Sequence, residues 1–252
     1  MNYMGVNLDP VTLFENECIE ESYKQARDKS FTKLSDIWLN KSWRYKYSYH
    51  FKWMDRPIIQ MPQDILALQE LIWKIKPDLI IETGIAHGGS ICLSASLLAL
   101  LEMEENYINS DSTKSKNKRK VIGIDIDIRD HNRAAVEAHP MFSRIEMIQG
   151  SSIDDTIITQ VKKIADQYNC VMVCLDSNHT HDHVRAELEA YAPLTSVGSY
   201  CIVFDTLIED MPADEYPDRS WGPGDNPKTA VWDYLKTHSE FDIDKEIADK
   251  LL

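Results

Sequence analysis

From Leu79 onward the chain alternates short, nearly uninterrupted apolar runs with longer stretches whose apolar residues recur every three or four positions. The runs are LIIE (79–82), VIGID (121–125), IEMIQ (145–149), VMVCL (171–175) and YCIVF (200–204). Runs of this length and composition predict strands buried on both faces, as in a parallel sheet. The segments between them can supply crossover helices. Residues 89–104, GSICLSASLLALLEME, are rich in helix formers; 153–168 place Ile157, Val161, Ile164 and Tyr168 on one helical face; 180–191 do the same with Val184, Leu188 and Tyr191. Repeating βα units of this kind predict an α/β fold: a Rossmann-like open, mostly parallel sheet with helices on both faces.

The first 78 residues follow another pattern. Residues 11–40 read as one or two helices with much surface charge. Next comes KSWRYKYSYHFKWMDRPIIQMP, dense in aromatics, which suits core packing or a substrate wall. Pro62 then opens a helix that runs to about Ile75, with Ile65, Leu68, Ile72 and Ile75 on one face, and Pro77 stops it. The expected division is a helical and aromatic extension over 1–60 and a cofactor-binding domain over 61–252. After the fifth run, DTLIEDMPADEYPDRSWGPGDNPKTAVWDYL predicts a long loop of the kind that forms lids and substrate walls. A helix follows from Pro227 to about Thr237, capped by Asp225 or Asn226. No internal repeat is visible.

Composition narrows the function classes. The 252 residues are 43% hydrophobic and 27% charged, ordinary for a globular domain with a sizeable core. A net charge of −14 repels phosphate backbones, so nucleic acid is not an expected partner. The basic cluster KSKNKRK (114–120) reads as a solvated loop. No apolar run approaches the roughly 20 residues of a membrane span. The start MNYMGVNLDPVTLFENECIEE lacks a basic segment followed by an apolar one, so no secretory leader is expected. Cysteines 18, 92, 170, 174 and 201 form no CxxC pair and fit free thiols in a reducing, cytoplasmic compartment.

The polar residues with chemical potential fall at the ends of the apolar runs. Glu82 ends the first and is followed by TGIAHGGS; Asp125 ends the second; Gly150, Ser151 and Ser152 follow the third; Asp176 follows the fourth; Asp205 follows the fifth. In an open α/β sheet all of these point toward one crevice, where ligands bind. The glycine loop lets backbone N–H groups approach a ligand closely. It reads GIAHGG, without the second glycine of the dinucleotide fingerprint GxGxxG, and Asp125 lies 41 residues beyond Gly84 rather than about 20. A carboxylate at Glu82 would repel a pyrophosphate and suit a cationic ligand. S-adenosylmethionine carries a sulfonium and an α-amino group and no phosphate. On this reading Glu82, Gly84, Ala86 and Ser90 hold the cofactor, Asp125 accepts from the ribose hydroxyls, and Gly150, Ser151 and Ser152 flank the adenine. A nucleotide-dependent oxidoreductase and a non-catalytic scaffold of the same fold are the alternatives.

These stretches, with CLDSNHTHDHV, FDTLIEDMP and WGPGDNPKTAVWDYL, give the chain a resemblance to class I S-adenosylmethionine-dependent methyltransferases. It is similar in particular to the cephalosporin hydroxylase-like family, which includes sugar and macrolide O-methyltransferases. The resemblance covers roughly residues 50–250 and implies an O-methyltransferase acting on a small-molecule or glycan acceptor. It also suggests a role for CLDSNHTHDH, where three histidines and two aspartates occupy positions 174–183. A zinc site is disfavoured, because HTHDH lacks one residue relative to the HxHxDH run. Asp176 and Asp205 instead share Mg²⁺, a cation that takes hard oxygen ligands. Asp176 also faces the cofactor. His179 serves as general base, kept neutral by the positive end of the helix beginning near 180. His181 and His183 have lesser roles, with His183 on the same helix face as His179. Relatives place two adjacent acidic or amide ligands after the fifth strand. Here the sequence is Phe204-Asp205-Thr206, so the third metal ligand is Thr206 or a water held by Glu209 or Asp210. The chain ends in FDIDKEIADKLL, where relatives continue into a final strand. The N-terminal helices suit assembly into a homo-oligomer.

Overall fold

A computed structural model describes residues 9–109, 118–213 and 216–251. The opening residues 1–8 and positions 114–117 of the basic cluster lie outside the described residues. The chain forms two compact units, one drawn from Met1–Tyr47 and Phe241–Leu252, the other from Ser48–Glu240.

The smaller unit contains α1 (Pro10–Arg27), α2 (Lys29–Arg44) and a short helix, Lys245–Lys250. Asp9 and Asp28 cap α1 and α2, each accepting hydrogen bonds from backbone N–H groups of the first turn. Arg27 pairs with Asp249 at 3.0 Å. Neither α1 nor α2 buries a residue.

The larger unit opens with an antiparallel hairpin, β1 (Phe51–Trp53) and β2 (Arg56–Ile58). Its two turn residues, Met54 and Asp55, both have positive φ, 43° and 67°. Hairpin turns need this conformation to match strand twist, and they usually recruit Asn-Gly or Asp-Gly. Residues 51–58 of the aromatic stretch are therefore a hairpin that no turn signal announced. Trp53 donates to Ser96 on the helix after the next strand, which makes that ring part of the packing. Helix α3 (Pro62–Ile75) spans the predicted residues, with Lys76 in the left-handed region at its end. Its buried stripe is Ala67, Leu68, Leu71 and Ile72, while Ile65 and Ile75 are half-buried at its edge.

The sheet follows as β3 (Leu79–Thr83), α4 (Gly89–Asn109), β4 (Lys120–Asp125), α5 (Asp130–Glu137), β5 (Ile145–Gln149), α6 (Asp155–Ala165), β6 (Val171–Leu175), α7 (His181–Tyr191), β7 (Cys201–Val203) and α8 (Pro227–Tyr234). All five predicted strands are present. They lie parallel in the order β5-β4-β3-β6-β7, with Ile81 opposite Ile122 on one side and Val173 on the other. Strands β3 and β6 are buried at every position, which is why their apolar runs are continuous. Helix α5 was not expected, and α6 ends at Ala165, before Tyr168. Asn226, rather than Asp225, caps α8.

The strand order reverses between β3 and β6. The first crossovers run to one side of β3 and the later ones to the other. Their carboxyl ends therefore open a crevice, the position where ligands sit in such sheets.

The basic cluster departs from expectation at its described end. Arg119 is 7% exposed and not a solvated side chain. Its guanidinium donates to the carbonyl oxygens of Lys76 and Pro77 and pairs with Asp78 and Glu105. Those carbonyls end α3 and need donors, which a buried guanidinium supplies. No helix among the described residues is long and apolar enough to cross a membrane. The five cysteines are unpaired, Cys18 exposed and Cys92 and Cys174 buried.

Candidate functional site

The glycine loop is pressed against the end of β6. Gly84 has φ +92°, and a Cβ there would lie 2.0 Å from the Asp176 carbonyl oxygen, so only glycine fits. At the start of α4, a Cβ on Gly89 would lie 2.3 Å from the Pro57 carbonyl oxygen, so the helix end packs on β2. Between them Asp125 grips the loop. One carboxylate oxygen accepts from the N–H groups of Ile85 (2.8 Å) and Ala86 (3.0 Å), and the other from Asp127 (3.0 Å). Ala86, with φ 46°, is held in the left-handed region by this grip and by Asn132, which donates to its carbonyl at 2.9 Å. A carboxylate offers about four acceptor positions. Three are taken, so Asp125 braces the loop and keeps about one acceptor position open.

Glu82 lies beneath this loop within β3 and is 2% exposed. Ser90 and Ser94, one turn apart on α4, hydrogen-bond to it, Ser94 at 3.4 Å. Its second oxygen, Oε1, has no partner. Burial pushes its carboxyl up to about 7, against which the two serines act.

The Gly150–Ser152 turn lies beside Asp125, whose carbonyl accepts the Gly150 N–H at 2.9 Å. Ser151 is half-buried and its carbonyl accepts the Asp154 N–H. The Ser152 hydroxyl lies 3.1 Å from His183 Nε2 and its carbonyl accepts from Tyr191, so this residue is turned toward α7.

The three histidines point to three different partners. His183 Nε2 faces Ser152, Ser177 (3.3 Å) and the fully buried Glu187 (3.5 Å). His181 Nδ1 lies 2.9 Å from the Thr229 hydroxyl, and its N–H donates to Asp225. His179 Nε2 lies 3.0 Å from Asp205 Oδ2. The expectation that His183 shares a helix face with His179 is corrected. Helix α7 begins at His181, so His179 stands in the preceding turn and no helical repeat relates the two.

The structure brings Asp176, His179 and Asp205 together, with one ligand atom of each within 4.8 Å of the others. Asp205 has φ 56°, an uncommon conformation that aspartate tolerates and that recurs at functional sites. Two further polar residues converge here that the sequence reading missed. Gln60 is 6% exposed and its side chain bonds Asp176. Asp64, in the first turn of α3, is half-buried, and its carboxyl is pushed up to about 7 by burial and by the Asp205 carboxylate. Asp176 is raised well above the usual range by burial, then by Asp205 and Glu82. Several carboxyl groups crowded without a cation are costly, and a divalent ion relieves that cost. Two carboxylates and an imidazole form a suitable donor set for one. Glu209 accepts from Gly224 N–H and Asn226 through one oxygen, and Asp210 pairs with Lys228. Thr206 opens the short helical turn Thr206–Asp210 directly after Asp205.

The long loop returns to the same place. Trp221 stands edge-to-face with His179, ring centroids 5.9 Å apart, and Tyr216 lies 5.6 Å beyond it. The Asp205 carboxylate can accept from His179 Nε2, which leaves Nδ1 outside that contact.

The chain is similar to the rhamnosyl O-methyltransferase of Mycobacterium tuberculosis, 28% identical over 150 residues, which are 59% of this chain and 54% of that protein. The Mycobacterium leprae counterpart is 26% identical over 161 residues, 64% of this chain and 62% of that one. The chain thus spans little more than half the length of these curated relatives. Among solved structures, CalS11, a TDP-rhamnose 3′-O-methyltransferase, aligns with 91% of this chain and 87% of its own at 17% identity and a TM-score of 0.49. A CmcI structure with magnesium and S-adenosylmethionine aligns with 76% of this chain and 67% of its own at 18% identity and a TM-score of 0.48. The model of the family described as Rhamnosyl O-methyltransferase/CmcI matches residues 45–252, and this chain belongs to that family.

Proposed function

We propose that this chain is an S-adenosylmethionine-dependent O-methyltransferase that methylates a hydroxyl of a sugar or glycosylated metabolite. The observation that carries the proposal is the meeting of Asp176, His179 and Asp205 beside the glycine loop, in a chain of this family. Glu82, Gly84, Ala86, Ser90, Asp125 and the Gly150–Ser152 turn form the cofactor side. The buried, unpartnered Glu82 oxygen suits the positive charge of this cofactor and opposes a pyrophosphate, which disfavours the nucleotide-dependent oxidoreductase. Asp176 and Asp205 would hold Mg²⁺, with Thr206 as a further ligand. A cation bound there supplies positive charge that lowers the acceptor hydroxyl's pKa.

The chain's own residues would then do the following. His179, oriented through Nε2 by Asp205, takes the hydroxyl proton at Nδ1 as the acceptor oxygen attacks the methyl carbon. The carbon–sulfur bond breaks and its electron pair stays on sulfur. Trp221 shields one side of the imidazole from water. The unpaired cysteines support a reducing, cytoplasmic setting, and the apolar residues exposed on α1 and α2, among them Phe14 and Leu34, support self-association.

Calorimetric titration with S-adenosylhomocysteine, with NAD⁺ in parallel, tests the cofactor. Micromolar binding of the first and none of the second is the expected result. Binding of NAD⁺ alone overturns the proposal, and binding of neither favours a non-catalytic scaffold.

A further inference from the structure

Helices α1 and α2 are built inside out. On α2, Thr32, Ser35, Leu39, Asn40, Ser42 and Trp43 are half-buried, whereas Phe31, Leu34, Ile37 and Trp38 are exposed, Leu34 at 64%. The Trp38 ring meets Tyr47 edge-to-face and still stands largely in solvent. On α1 the half-buried positions are Thr12, Ser22, Gln25 and Ala26, and the exposed ones include Val11, Phe14, Ile19 and Tyr23, Phe14 at 65%. A surface helix normally turns its apolar stripe inward and its polar face outward. Helices in proteins also owe their stability to a packed apolar face more than to propensity. Here the outward stripes are regular. Val11, Phe14 and Cys18 on α1, and Phe31, Leu34 and Trp38 on α2, follow the three- and four-residue spacing of a helix–helix seam.

The two helices cannot cover each other. Asp28 alone joins them, ending α1 and capping α2. Folding one helix back along another takes a loop of about two to five residues. Both stripes are therefore left facing solvent in a single chain. The charges say what cover fits. Helix α1 carries four glutamates against one lysine and one arginine; α2 carries three lysines and one arginine against one aspartate. One copy thus presents an acidic limb and a basic limb. A second copy, turned about a two-fold axis, sets acidic against basic in both halves of the contact, as a self-complementary interface requires. An anionic membrane would attract α2 and repel α1. Helices of 18 and 16 residues can supply the roughly 20–30 residues that one side of a stable interface uses. The match to the family model begins at residue 45, after both helices.

We propose that α1 and α2 form the interface between two copies of this chain: α1 of one copy packs on α2 of the other, and the reverse, about a two-fold axis. The apolar seams meet, and the glutamates of each α1 flank the lysines of the facing α2. The inference rests on the self-association proposed above and names its surface, its symmetry and its pairing.

The test is sedimentation velocity on the full chain and on two charge-reversed variants. One carries Glu15→Lys, Glu17→Lys and Glu20→Lys; the other carries Lys33→Glu and Lys41→Glu, all at exposed positions. Wild type should sediment as a dimer. Each variant alone sets like charges against each other and should dimerise at least roughly tenfold more weakly. An equimolar mixture of the two should regain the dimer, because both helix pairs are then oppositely charged. Far-ultraviolet circular dichroism reports whether each variant is folded. Leu34→Gln, at an exposed apolar position, serves if one is not, and should weaken the dimer too. Variants that dimerise like wild type, or a mixture that does not recover, overturn the pairing and leave self-association to another surface. A wild type that is monomeric at every concentration overturns both.

Discussion

His179 Nε2 lies 3.0 Å from Asp205 Oδ2, a contact that joins a turn after the fourth strand of the parallel sheet to the segment after the fifth. One imidazole nitrogen is thereby committed and the other is free. If His179 is the general base, His179→Ala should lower turnover by about 10²–10⁴-fold, the range for a positioned base, and leave S-adenosylhomocysteine affinity unchanged. Manganese titration followed by electron paramagnetic resonance separates the roles. A base variant binds Mn²⁺ like wild type, whereas loss of Mn²⁺ binding would make His179 a ligand.

Asp176→Asn should abolish any stimulation by Mg²⁺ and weaken Mn²⁺ binding. The comparison is a methyl-transfer assay with EDTA and then with Mg²⁺ restored. Activity indifferent to both would remove the metal from the mechanism.

Glu82 gives a pH dependence whose sign is fixed by burial. Burial lifts the carboxyl from its ordinary value of 4.5 to about 7 in the fold, so between those values the folded state holds the extra proton. Stability of the ligand-free protein should therefore fall as pH rises from about 4.5 to about 7 and level off above. The contribution is on the order of 3 kcal/mol, at about 1.4 kcal/mol per unit. Thermal unfolding of Glu82→Gln across this range should show a flatter profile. An unchanged slope would assign the dependence to other groups.

Two glycines with similar backbone angles should respond differently to alanine. Gly84 and Gly198 have φ +92° and +81°, but a Cβ on Gly84 meets the Asp176 carbonyl at 2.0 Å while one on Gly198 meets nothing within 4 Å. Gly198→Ala should cost about 1–2 kcal/mol from backbone strain alone. Gly84→Ala should cost more and also lose S-adenosylhomocysteine binding, as read by denaturant unfolding and calorimetry. Equal costs would mean that the close approach is not rigid.

Much of the fold is legible because the sheet is buried on both faces. Continuous apolar runs such as VMVCL can be little else, and the acids at their ends fall into one crevice by topology. The hairpin at residues 51–58 is not legible, because its turn is Met-Asp and its positive φ values are imposed by context. Arg119 reads as one more charge in a basic run, since only the tertiary fold brings the end of α3 to it. Gln60 and Asp64 escape for a related reason. They stand at the start of a helix, where polar residues have a local explanation, and only packing turns them toward Asp176 and Asp205. The histidine-rich decapeptide looks like one cluster in sequence because spacing carries no direction. In space, His179, His181 and His183 serve three separate networks.

Asp125 holds the amides of Ile85 and Ala86 with hydrogen bonds the chain itself supplies. The loop's shape therefore does not depend on contacts from an arriving molecule. Binding there should proceed without the entropic penalty that accompanies folding of a flexible loop, leaving more of the contact energy to appear as affinity.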